Sequence, residues 1–218
     1  MVRALSAAPR PRGAFEGPRL VAWAAGALAL LVAALVARGG TDEAGLRPLV
    51  RWTARFGLAF FLAAYCASSL RRLWPTPASA WLLRNRRWLG LSFATAQAVH
   101  LLAIGLLARR LGPAFETQPV SLAGGALGYA FTAALAATSS DRAVAWLGAA
   151  RWKLLHRLGI HWLWIVYAVT EIPAARKSSL QLLLAALVVG AALLRLAAWR
   201  SRGRVAARPA SAAAGGMR

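Results

Sequence analysis

Cysteine is almost absent from the chain: Cys66 stands alone, which excludes an internal disulfide and a thiolate zinc site. Acid is scarce too, with 6 Asp and Glu among 218 residues. Oxygen-rich calcium or magnesium sites need clustered carboxylates, so this composition argues against them. Charged residues make up 15% and hydrophobic residues 59%, where a soluble domain carries about 25% and about 45–50%. That balance excludes an ordinary cytosolic enzyme. What the chain has instead is base, with 27 Lys and Arg giving a net charge of +21. A disordered basic tail for nucleic acid would be poor in Leu and Trp, whereas 10 Trp are present. The basic residues lie between long apolar runs, not along one face, so no nucleic-acid partner is expected. The class left is a polytopic membrane protein with lipid as its first partner.

A spanning helix needs about 20 predominantly apolar residues, and six stretches qualify: 20–37, 52–70, 88–108, 120–138, 154–172 and 179–199. The expected fold is all-α, a six-transmembrane-helix bundle over residues 19–200. The tails 1–18 and 201–218, rich in Ala, Pro, Gly and Arg, read as disordered basic flanks able to bind anionic headgroups. Lys and Arg divide 19 to 8 between the two sides of this bundle. The positive-inside rule then puts both termini in the cytoplasm, in a cell's inner membrane. The first run follows a basic leader, but its apolar core of about 18 residues exceeds the usual 7–15 of a secretory signal and reads as a span. Arg195, near the end of the sixth span, reads as snorkelling to the interface.

Smaller features follow from local chemistry. Gly124 and Gly128 give the fourth span a spacing suited to close helix packing. Trp146, Trp152, Trp162 and Trp164 read as an aromatic belt. Gln97 and Thr95 are expected to bond across helices, and residues 138–141 to cap a short amphipathic segment before the fifth span.

The chain has 3 histidines, and all of them fall within spans: His100 in the third, His156 and His161 in the fifth. Ionisable residues inside a bilayer are costly and mark function until a plainer explanation wins. Neutral imidazole is the common protein ligand of haem iron and of zinc. Zinc wants three or four ligands, while haem needs one or two and its apolar macrocycle suits a helix bundle. At about 1.5 Å per residue from the basic anchors Arg87 and Arg151, His100 lies about 20 Å deep, His161 about 15 Å and His156 about 8 Å. His100 with His161 is the better-matched pair for one iron.

Three blocks resemble the ferric-reductase-like transmembrane domain family. The first is Leu70-Arg71-Arg72-Leu73, then Arg86-Arg87-Trp88-Leu89-Gly90-Leu91 and His100. The second is Thr138-Ser139-Ser140-Asp141-Arg142 leading to Leu147-Gly148, and the third Trp152-Lys153-Leu154-Leu155-His156-Arg157-Leu158. They cover about residues 50–172, nearest the membrane haem subunits of periplasmic methionine sulfoxide reductase systems. The resemblance implies a bundle that binds b-type haem through histidines and passes electrons across the membrane, to or from a partner protein or quinol. His100 matches the third-span ligand and His156 the first histidine of the fifth span. The family's second fifth-span histidine falls here on Val169. Either His161 substitutes, or the iron is five-coordinate, or the chain is a haem-free accessory protein retaining the bundle. No flavin- or nicotinamide-binding domain is expected after the sixth span. A small transporter is disfavoured, since inverted repeats and buried acids are lacking.

Overall fold

The computed structural model describes residues 13–115 and 119–206; most of the two basic tails lies outside them. Among the described residues the chain is helical and holds no strand. The helices are α1 (Pro18–Gly39), α2 (Glu43–Leu73), α3 (Pro77–Arg84), α4 (Arg86–Leu111), α5 (Pro119–Ala137), α6 (Asp141–Leu147), α7 (Ala149–Ala174) and α8 (Ser179–Ala206).

Local chemistry sets the boundaries. Asp42 caps α2, its carboxylate accepting from the Gly45 N–H at 2.9 Å. Thr76 and Ser79 form a reciprocal capping box at α3, with Pro77 in its first turn, where the missing N–H costs nothing. Ser140 caps α6 by accepting from the Ala143 N–H at 3.1 Å, as the 138–141 stretch predicts. Gly148 ends α6 at φ 81°, a left-handed conformation that favours glycine. The α1–α2 turn is tighter still: a methyl group on Gly45 would collide with the carbonyl oxygens of Gly39 and Gly40.

Five helices, α1, α2, α4, α7 and α8, are long and apolar enough to cross a membrane. The expected fourth span, 120–138, forms as the unbroken helix α5, and the chain bends just after it. Residues Ser121–Ala137 and Asp141–Leu147 meet at 106°, and count as a sixth crossing only if the bent pair is taken as one. α2 lies at the centre, packed against α1, α4 and α8, while α7 bridges α5 and α8. One core joins Leu58, Phe61 and Tyr65 of α2 with Phe93, Leu163, Tyr167 and Val188. A second joins Leu46 and Leu49 to Ala103 and Leu107 at the other end of α2 and α4. Outside these cores, Leu30, Leu102 and Leu193 are more than half exposed, as side chains facing lipid are.

Three tryptophans of the expected belt do something else. Trp152 donates to the Thr138 carbonyl at 2.9 Å, Trp162 to Gly124 at 3.2 Å and Trp164 to Val188 at 3.0 Å. Each indole therefore ties α7 to a neighbour, and only Trp146 of the four is exposed. The closest packing of α5 on α7 is not at the Gly124/Gly128 pair. It is at Gly159, where an added methyl would meet Leu135 Cδ1 at 3.0 Å.

Candidate functional site

Where α5 breaks into α6, the bundle opens. A cavity of about 570 Å³ lies between α2, α4, α5, α6, α7 and α8. Its apolar wall is made by Phe61, Phe93, Leu135, Ile160 and Leu163. Its other wall is basic, formed by Arg86 and Arg87 at the start of α4, Lys153 and Arg157 on α7, and Arg195 on α8. The carboxylate on the lining, Asp141, is already paired with Arg87 at 3.3 Å. Among the described residues no carboxylate lies within ion-pair distance of the other four cations. The cavity is thus apolar at one end and carries uncompensated positive charge at the other.

His156 lines this cavity. Its ring lies 4.2 Å from that of Trp152, and its Nε2 is 3.3 Å from Thr138 Oγ1. The Thr138 hydroxyl has one proton, which it gives to the Ala134 carbonyl at 2.6 Å. The contact to His156 is therefore donated by the Nε2–H, leaving Nδ1 with the free lone pair.

His100 and His161 lie elsewhere. His100 Nδ1 is 3.1 Å from Thr53 Oγ1, with the Tyr129 ring at 6.4 Å. Thr53 donates to the Leu49 carbonyl at 2.8 Å and is fully buried, so His100 is the donor through Nδ1, with the Val50 carbonyl as a further acceptor beside the ring. His161 bonds through Nδ1 to the Arg157 carbonyl at 2.6 Å, which leaves Nε2 bare, and its ring stands edge-on to Tyr65 at 6.1 Å. Among the described residues no three His, Cys, Asp or Glu come together as a metal site.

The depth match between His100 and His161 does not carry into the bundle. Thr53 and Tyr65 belong to one helix, and their separation in sequence is about 18 Å of helix. The cause is the register of α7. Gln97 donates to the Tyr167 hydroxyl at 2.7 Å, although Gln97 stands about 10 residues past Arg87 and Tyr167 about 16 past Arg151. Basic anchors counted as level are thus offset by about 9 Å. In this register the height of His100 on α7 falls near Val169 and Thr170, both of which turn outward; Val169 is 66% exposed.

Sequence reasoning missed two groups here. Arg195 is directed onto the cavity wall, donating to the Tyr65 carbonyl at 3.0 Å with its guanidinium 4.3 Å from the Tyr65 ring centre. Gln97 crosses to α7 as expected, whereas Thr95 bonds to Leu91 of its own helix.

The chain is similar to three curated proteins, each named as the protein-methionine-sulfoxide reductase heme-binding subunit MsrQ. That of Ralstonia nicotianae is 34% identical over 131 residues, covering 57% of this chain and 59% of the relative. That of Azospira oryzae is 33% identical over 165 residues, covering 65% and 66%. That of Polaromonas naphthalenivorans is 33% identical over 126 residues, covering 54% and 56%. The chain spans less than two thirds of the length of each of these relatives. No family model matches the chain, and no solved structure matches it. The nearness to membrane haem subunits of methionine sulfoxide reductase systems, read from the motif blocks, is borne out by these likenesses.

Proposed function

We propose that the chain is a haem-carrying electron-transfer subunit of the cytoplasmic membrane, serving a protein-methionine-sulfoxide reductase as its relatives' names describe. The cavity beside His156 is the site we assign to a b-type haem. One observation carries the proposal: imidazole, apolar wall and unpaired guanidinium groups converge on one cavity. About 570 Å³ lies within the usual range of about 300–1,000 Å³ for ligand and cofactor sites. The donor set suits haem, whose iron takes imidazole and whose carboxylates take cations.

When bound, haem supplies a one-electron iron couple. His156 is the ligand available from the cavity wall, through Nδ1 as it stands or through Nε2 once the Thr138 bond is given up. Phe61, Phe93 and Leu163 exclude water from the apolar end. The basic end holds negative charge at the membrane face that the Lys and Arg distribution assigns to the cytoplasm. His100 and His161 lie outside the cavity lining and would be further imidazole ligands if the bundle held iron there. Electrons are exchanged with a partner protein or a quinol.

The test is a difference spectrum of protein purified in detergent from haem-replete cells. Wild type is expected to show a Soret band that shifts on dithionite reduction, and His156→Ala to lose at least about tenfold in haem content. His100→Ala and His161→Ala report whether the outer imidazoles contribute a ligand. A colourless wild-type preparation refutes the haem assignment. A haem-free accessory protein is the second reading, and one observation favours it: Val169 stands where the resembled family has its second fifth-span histidine, and the valine is 66% exposed.

A further inference from the structure

The groups that hold Arg195 leave most of its hydrogen-bonding capacity unused. A guanidinium has five N–H donors, and the structure gives it one acceptor, the Tyr65 carbonyl, together with the Tyr65 ring across its face. No carboxylate among the described residues lies within ion-pair distance of it. A long cationic side chain near the end of a spanning helix normally turns toward the interface. Arg195 is half-buried and directed inward, onto the cavity wall. It comes from α8, opposite the α4 and α7 cations that supply the rest of the basic end.

We propose that Arg195 is a binding residue for a carboxylate of the cavity's ligand, oriented by Tyr65 so that its planar fork meets a haem propionate from the α8 side. The assignment rests on the haem reading of the cavity. Arg suits the role better than Lys, because the fork engages both oxygens of a carboxylate at once. Stacking on Tyr65 fixes the plane of that fork before the ligand arrives, which limits the ordering lost on binding.

The test separates the carboxylate from the porphyrin. Full-length protein is prepared from haem-deficient cells and titrated in detergent with haem b and, separately, with haem b dimethyl ester, which keeps iron and ring but has no carboxylates. Wild type is expected to prefer the free acid by about ten- to a hundredfold. Arg195→Gln should cut that preference by about tenfold while changing affinity for the ester little. Arg195→Lys, which keeps the charge without the fork, should lose a few-fold and carries the test if the glutamine variant fails to fold. Unchanged discrimination in either folded variant overturns the proposal, as does a wild type that binds acid and ester equally, the result expected if Arg195 serves a lipid headgroup. Binding of neither probe by wild type refutes the haem assignment itself and removes this role with it.

Discussion

Each of the three imidazoles has its tautomer set by an oxygen whose own bonding is already fixed. Thr53 and Thr138 commit their hydroxyl protons to carbonyls one turn back in their helices and so accept from His100 and His156. At His100 the contact is part-buried and the Val50 carbonyl offers the ring a second acceptor, so loss of the Thr53 oxygen costs no more than the low end of about 1–3 kcal/mol. Thr53→Val keeps the shape and removes the oxygen. It is expected to lower unfolding stability in detergent by that amount, with Thr53→Ser close to wild type. The check is a double-mutant cycle with His100→Ala, in which a coupling energy near zero would show that the contact contributes nothing.

At the scale of the helix, α7 organises the site. It carries His156, Lys153 and Arg157 on the cavity side and is held by indole N–H groups reaching carbonyls on α5, on Thr138 just after it and on α8. Such interhelical bonds in membrane bundles are worth about 0.6–2 kcal/mol each. Trp164→Phe keeps the ring area and removes the donor. A fall in stability of about 1 kcal/mol is expected, measured by denaturant titration in mixed micelles, with any bound haem retained because Trp164 lies off the cavity. The α5–α6 break matters as much. Ser139, Asp141 and Val144, which lie at and after the break, border the cavity.

For the whole molecule, the distribution of charge decides which way it sits. The 19 to 8 division of basic residues outweighs any single loop, so both ends of the chain are expected in the cytoplasm. Fused at the C-terminus, green fluorescent protein should fluoresce and alkaline phosphatase should stay inactive; the reverse pattern would invert the bundle. It would also carry the basic end of the cavity to the other face of the membrane.

The sequence by itself determined that the chain is a helical membrane protein, because apolar runs near 20 residues have few other ways to satisfy their backbone. It also bounded most spans, and the polar run at 138–141 marked the cap that Ser140 supplies. Histidine placement was legible too, since a polar ring in an apolar run stands out. What periodicity could not show was the axial offset of α7, the 106° turn after α5 and the inward path of Arg195. Those depend on how helices slide and rotate against one another, which is settled by contacts far apart in the chain, such as Gln97 with Tyr167 and Arg195 with Tyr65. Hydropathy measures the affinity of a segment for lipid and carries no information about its register with a neighbour, so only the tertiary structure decided which histidine faces the cavity.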